Sequence, residues 1–260
     1  MNIYNFEIYG YATIIIWLLG FLFSFLTKKT NLLLSSSFLG TLTLGLFIGL
    51  YWNLIERPPM RTLAETRMWY AFFLGIIGCF MFLRWRQAWM PIFTQLLAIL
   101  FIIINISYPE TYNKSLMPAL QSVWFIPHVI VYMLAYSFLA ASFVFAIKSI
   151  LVKDDKFEES IRLTDNIVYI GFSFLTLGLL FGALWAKKAW GHYWTWDPKE
   201  TWAFITWIGY LIYIHYRYQS NKKDRSPAYI LLFAFVLLMI CWFGVQYLPS
   251  ASNSVHTYAY

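Results

Sequence analysis

Apolar residues run along this chain in eight long stretches, each broken by charge, proline or a short polar cluster, near positions 8–27, 31–55, 68–84, 89–107, 125–147, 166–186, 201–218 and 227–247. Each is close to the roughly 20 residues an α-helix needs to cross the hydrocarbon core of a bilayer, so the pattern predicts eight spans. The first stretch is longer than a signal-peptide core and no Lys or Arg precedes it, so it reads as a retained helix. Composition agrees. Of 260 residues 60% are apolar and only 12% charged, with a mean hydropathy of +0.61, whereas a soluble domain carries about a quarter charged residues. The expected fold is an all-α polytopic integral membrane protein, one membrane domain over residues 1–260 embedded in the lipid bilayer, with little chain left for a soluble domain.

Charge then sets direction. One set of alternate loops holds Lys28, Lys29, Arg84, Arg86, Lys148, Lys153, Lys156, Arg162, Arg217, Lys222, Lys223 and Arg225; the other holds Arg57, Arg61, Arg67, Lys114, Lys187, Lys188 and Lys199. The positive-inside rule puts the richer set in the cytoplasm and both termini outside. The net charge of +7 therefore speaks of topology, and nucleic-acid binding is not the reading. The segment Lys148–Asp165 mixes basic and acidic residues and is expected to be a solvated amphipathic linker. Cys79 and Cys241 both fall in apolar runs and form no CxxC, which points away from disulfides and thiol metal sites. Without a CxxCH the chain is not itself a c-type cytochrome.

The external side carries the candidate chemistry. Five of the thirteen tryptophans sit within residues 185–202, between spans six and seven. An interfacial aromatic belt explains some of them, but not their density on one loop. Asp197, Pro198 and Glu200 have a structural reading as N-cap, first helical residue and third-position capping partner of span seven. The remaining cluster, Trp190, Tyr193, Trp194 and Trp196 around Gly191, makes a flat apolar surface with Lys187 and Lys188 beside it. Such a surface suits a large planar ligand with an anionic rim, and haem has that shape.

The four histidines divide by position. His128 follows Pro127 at the outer start of span five, where a hydrogen-bonded interfacial role and a ligand role are both open. His256 lies in the external tail. Both map to the side of the tryptophan loop, and two such imidazoles suit the two axial positions of a haem iron. His215 lies inside span seven, two residues before Arg217, where an interhelical hydrogen bond is the plain alternative to a ligand. The other three histidines map outside, so a bis-histidine site at that depth needs a second chain. His192 reads as non-essential.

The string Trp190-Gly191-x-Tyr193-Trp194-x-Trp196-Asp197-Pro198-Lys199-Glu200-Thr201-Trp202-Ala203, followed by Tyr210 and His215, resembles the tryptophan-rich WWD signature of the CcsA (ResC) family of system II cytochrome c biogenesis. The resemblance extends from about Tyr51 to the C-terminus and includes Arg57-Pro58-Pro59-Met60 and Glu65. It implies an eight-span subunit that takes haem b as substrate and ligand. It implies His128 and His256 as axial ligands over a shelf of Trp190, Trp194 and Trp196, with Gly191, Tyr193, Asp197, Pro198, Lys199, Glu200 and Trp202 as motif residues. It implies that His215 shares a haem with a CcsB (ResB) partner, and that apocytochrome c docks externally for thioether formation as part of a holocytochrome c synthase (haem lyase) complex. No residue of this chain is assigned a catalytic role; orientation, iron ligation and shielding are its expected contribution. The expected location is a bacterial inner membrane with the site on the external face, ahead of a thylakoid membrane. Three alternatives stay open. One is a system I haem handler similar to CcmC or CcmF, another a proton-coupled transporter or quinone-linked subunit, and the third a scaffold whose aromatics are only anchors. A transporter is expected to bury carboxylates in its spans, and the twelve acidic residues here fall at span ends or in loops.

Overall fold

Inside hydrocarbon no water serves backbone N–H and C=O groups, so a crossing segment must satisfy them itself, as helix or closed barrel. The computed structural model describes residues 5–86, 88–112, 122–219, 224–250 and 254. Its helices are α1 (Asn5–Thr27), α2 (Thr30–Ile55), α3 (Leu63–Trp85), α4 (Trp89–Ser107), α5 (Phe125–Leu151), α6 (Asp154–Trp190), α7 (Pro198–Gln219) and α8 (Ser226–Met239). A π-helical turn at Ile240–Gly244 and a 3-10 turn at Val245–Tyr247 extend α8. The eight helices cover the eight apolar stretches, and no strand occurs among the described residues. Seven of them are long and apolar enough to cross a membrane; α7, which carries Lys199, Glu200, His215 and Arg217, is the exception. The protein is an all-α polytopic integral membrane protein.

Two helices start earlier than the apolar pattern implies. α3 begins at Leu63 because Thr62 caps it: the Thr62 hydroxyl accepts the Glu65 N–H at 3.1 Å, and the Glu65 carboxylate accepts the Thr62 N–H at 3.2 Å. α6 begins at Asp154, so the Lys148–Asp165 stretch, expected as a solvated linker, is mostly the first three turns of a 37-residue helix about 55 Å long. The cause is a partner on α7. Glu158 and Asp165, two helical turns apart, face the Arg217 guanidinium, which donates to Asp165 Oδ2 at 2.8 Å and to Glu158 Oε1 at 3.4 Å. Tyr213 adds its hydroxyl to Asp165 Oδ1 at 2.6 Å. Arg217 and Asp165 are only 9% and 10% exposed, so Asp165 is buried and paired, with Glu158 at the rim of the cluster and Glu159 and Arg162 exposed.

The chain divides into two compact units, residues 1–116 and 117–260. In the first, small residues bring helices close. Gly20 lies against Ser36, and Gly40 against Trp17, whose indole N–H donates to the Ser37 carbonyl at 3.2 Å. Gln95 from α4 bonds the Ser37 hydroxyl, and Asn105 donates to the Ala64 carbonyl at 2.8 Å. Such interhelical polar bonds hold helices together where lipid removes the hydrophobic drive to pack. At the N-terminal end of α3, fully buried Glu65 accepts two bonds from Arg57, at 2.7 and 3.0 Å, and the Arg61 N–H at 2.6 Å, besides the cap.

In the second unit α5 and α6 run antiparallel in one register. Phe125 meets Trp185, Tyr132 lies against Gly178 and Leu139 against Gly171. A Cβ on Gly178 or Gly171 would stand 2.8 Å from those side chains, so the glycines are what allow the approach. α8 packs on α5 and α7. Arg225, just before α8, donates to the Val152 carbonyl at 2.9 Å and to that of Ile150, serving the C-terminal end of α5, where a helix leaves its last carbonyls without intrahelical partners.

Asp165 is the nearer acid on Arg217, and removing it leaves the guanidinium with only the longer 3.4 Å contact to Glu158. Asp165→Ala is expected to cost about 3–5 kcal/mol, seen as a lowered thermal midpoint of the detergent-solubilised chain. Glu159→Ala, exposed on the same helix, is expected to change stability by less than about 0.5 kcal/mol.

Candidate functional site

The tryptophan loop joins α6 to α7 and is held at both ends by its own sequence. α6 stops at Gly191, whose φ of +87° is a left-handed conformation that favours glycine. The Gly191 N–H donates to the Lys187 carbonyl at 3.1 Å. The Lys187 ammonium turns back to the Gly191 carbonyl at 2.8 Å and stands 5.3 Å over the Tyr193 ring. At the other end Asp197 Oδ1 accepts the Lys199 N–H at 2.8 Å, and the Thr201 N–H reaches the Asp197 carbonyl at 2.8 Å. Pro198 is the first helical residue. Glu200 Oε2 accepts from the N–H groups of Thr195, at 2.8 Å, and Asp197, at 3.2 Å. The Asp-Pro-Lys-Glu run is thus the helix start its residue types imply.

That carboxylate binds the chain on both sides of Trp196, which has a φ of +60°, a conformation that is an outlier for a bulky residue. Thr201 Oγ1 holds the Trp196 carbonyl at 3.1 Å. The strain is therefore fixed by three side-chain contacts and turns the ring outward: Trp196 is 64% exposed and Tyr193 56%. Trp194 stands edge-on to Trp196 with centroids 5.7 Å apart, and both rings meet Phe204 of α7 at 6.4 and 6.0 Å. The Trp194 indole nitrogen is buried with no hydrogen-bond partner among the described residues, a donor that an acceptor on a bound molecule would satisfy. Trp190 belongs to a second group and packs on Trp185 at 4.9 Å. Trp202 lies half-buried in the first turn of α7.

His128 joins the second group. Its ring lies 5.3 Å from Trp185 and 4.7 Å from Tyr132, and its Nδ1–H donates to the Gly178 carbonyl of α6 at 3.0 Å. Because the partner is a carbonyl, Nδ1 carries the proton and Nε2 the ring's electron pair, the form that ligates a metal. Trp185 thus links His128 to Trp190. His256 lies outside the described residues. Ser254, two positions earlier, donates its hydroxyl to Asp197 Oδ1 at 3.1 Å. His215 is on an exposed face of α7, with Nδ1–H donating to Leu211 O at 2.9 Å. Thr206, Gly209, Tyr210 and Tyr213 bury the opposite side of that helix. His192 is exposed in the loop. Arg57, in the Arg57-Pro58-Pro59-Met60 string, is engaged with Glu65.

Sequence reasoning did not single out Gly178, Gly182 or Tyr132 as neighbours of His128. The four-residue glycine spacing in α6 was the available signal, but it names a close approach without naming its partner.

These features define a class: a polytopic membrane protein with a capped, tryptophan-dense loop, and a carbonyl-bonded histidine beneath its start. The chain belongs to the cytochrome c assembly protein family, whose model matches residues 6–251. It is 30% identical to the cytochrome c biogenesis protein CcsA of Guillardia theta, over 95% of this chain and 92% of that one. With the CcsA of Mesostigma viride it shares 29% identity, over 100% and 99% respectively. With the CcsA of Prochlorococcus marinus (strain MIT 9215) it shares 37%, over 55% and 57%.

If Glu200 holds the loop, Glu200→Ala is expected to increase limited proteolysis between Trp190 and Pro198 several-fold, while Glu200→Gln, whose amide oxygen still accepts, keeps most of the protection. Equal nicking in wild type and Glu200→Ala would contradict this.

Proposed function

We propose that this chain acts in cytochrome c biogenesis by handling haem, which is its substrate and ligand, and that His128 and His256 take the two axial positions of the iron at the tryptophan loop. The observation that carries the reading is the Trp185 bridge, 5.3 Å from His128 and 4.9 Å from Trp190. It links an imidazole in its Nδ1–H form through Trp185 to Trp190 at the start of the aromatic loop, and at the other end of the loop Ser254, two positions before His256 in the sequence, bonds Asp197. The exposed ring of Trp196 is suited to a porphyrin face. The Trp194 indole N–H suits a haem carboxylate or another acceptor. Lys187 and Lys188 are exposed at the end of α6 and suit propionates.

In this reading each residue has a physical task. The imidazoles hold the iron, the rings exclude water and orient the macrocycle, and Gly191 with the Asp197–Glu200 start of α7 keeps the loop at the right height. Thioether formation joins the vinyl groups of haem to the CxxCH thiols of apocytochrome c, and the chain supplies orientation to that step. His215, directed away from the buried side of α7, is a second ligand position whose opposite imidazole comes from another chain, a partner of the CcsB type. The tryptophan loop faces the side opposite the Lys- and Arg-rich loops. The relatives from Guillardia theta and Mesostigma viride weigh toward a thylakoid membrane over a bacterial inner membrane.

The test is holocytochrome c formation together with the oxidised and reduced optical spectra of the chain purified with its partner. His128→Ala and His256→Ala are each expected to abolish cytochrome formation and the bis-imidazole spectrum, with partial recovery in added imidazole, while His192→Ala retains most activity. Full activity in both ligand variants would refute the assignment. Absence of haem from every preparation while cytochrome c still matures would favour a scaffold.

A further inference from the structure

His128 owes its ring position to α6. The carbonyl that accepts its Nδ1–H belongs to Gly178, and in an α-helix that same carbonyl also receives the N–H of residue 182, four positions on. A side chain at 182 would therefore stand beside the bond. A Cβ there would lie 2.8 Å from His128 Cε1 and 2.9 Å from Nδ1, closer than real contacts allow. The ring cannot simply slide aside, since Trp185 and Tyr132 pack at 5.3 and 4.7 Å. Tyr132 itself rests on Gly178, where a Cβ would come within 2.8 Å of its ring. The two glycines thus do different things. Gly178 supplies the acceptor and seats Tyr132, and Gly182 leaves room for the imidazole plane to reach that acceptor.

We infer that Gly178 and Gly182 are positioning residues for His128, fixing its protonated nitrogen as Nδ1 and aiming Nε2 at the ligand. This rests on the haem reading above and adds to it the element that sets the geometry and donor strength of one axial ligand. A carbonyl accepting from the non-ligating nitrogen orients the ring and raises its basicity, and loss of such a partner typically weakens metal binding about 10- to 100-fold. Glycine at 182 is then required for the ligand and not only for helix packing.

Gly171 is the control, because it lies on the same seam, where a Cβ would press on Leu139 Cδ2 at 2.8 Å, away from His128. The full chain, purified in detergent with its partner, is compared as wild type, Gly182→Ala, Gly171→Ala and His128→Ala. Gly182→Ala is expected to lose about 10-fold or more of the haem retained through His128, with six-coordinate low-spin signal passing to five-coordinate, and to recover it in added imidazole. Gly171→Ala is expected to keep the wild-type spectrum. A wild-type spectrum in Gly182→Ala, equal loss in Gly171→Ala, or no recovery with imidazole in abundant protein would overturn the inference while leaving the haem reading intact. An unchanged haem signal in His128→Ala would overturn both. Nitrogen-15 NMR of histidine-labelled wild-type chain without haem, with His128→Gln to assign the signal, needs no glycine variant: the Nδ1–H tautomer at His128 supports the inference and the Nε2–H tautomer overturns it.

Discussion

The close antiparallel contact of α5 and α6 is the constraint on which the second unit depends. Within lipid, helices gain little from hiding apolar surface and associate through van der Waals fit and interhelical hydrogen bonds. Gly171, Gly178 and Gly182 provide that fit by removing side chains where Leu139, Tyr132 and His128 must lie. The single register that results also decides which groups meet at the end nearest the tryptophan loop: Trp185 reaches Phe125 and His128, and α6 then runs on one more turn to Gly191. A glycine seam that serves as packing along most of its length becomes, in its last turns, the floor of the candidate site. Gly178 and Gly182 serve both the helix pair and the imidazole, whereas Gly171 serves the helix pair alone.

The loop above that floor is held by electrostatics at its two ends. Gly191 relieves the backbone where α6 stops, and its carbonyl is met by the Lys187 ammonium from within the helix. At the start of α7 the carboxylates of Asp197 and Glu200 collect N–H groups that a helix N-terminus leaves unserved. Glu200 adds a contact beyond an ordinary capping box: it grips Thr195 as well as Asp197, and the residue between them is forced into a left-handed conformation. Strain at Trp196 of order 1–3 kcal/mol is offset by these bonds, and its structural consequence is an indole ring turned to the outside. The acidic residues of this motif act on the backbone, and the aromatic residues are what they present.

Much of this was legible in the residues. The eight spans follow from apolar length, and the cap of α7 follows from Asp-Pro-Lys-Glu, since both are local. What escaped the sequence was non-local. Glu158 and Asp165 read as solvated linker charge, and Arg217 as a cation of the cytoplasmic side, because nothing along the chain says that α7 brings Arg217 within 2.8 Å of Asp165. That pairing is why the helix continues through the supposed linker. Glu65 likewise reads as a span-end acid, and only the four hydrogen bonds it accepts from Arg57, Arg61 and Thr62 explain a fully buried carboxylate. The tryptophan loop reads as one shelf, whereas Trp190 packs with Trp185 and Trp194 with Phe204, because the first belongs to the end of α6 and the second to the start of α7.

His128 and His215 show how one residue type is prepared in two ways. Both donate Nδ1–H to a carbonyl, at 3.0 and 2.9 Å. For His215 that carbonyl is Leu211 of its own helix, so the ring is aimed by the rotation of α7 alone. That rotation is set on the other side of the helix by Tyr213 and Arg217, which are both tied to Asp165. The clamp thus directs His215 outward although it never touches it. For His128 the carbonyl lies on a neighbouring helix, so the ring is held from outside its own element and closed in by Trp185 and Tyr132. A ligand held across two helices does not depend on the loop for its place. One held by its own helix at an exposed face is complete only when another surface meets it. In the proposed function the first arrangement suits presentation of haem at a site built within this chain, and the second suits a haem shared with a partner.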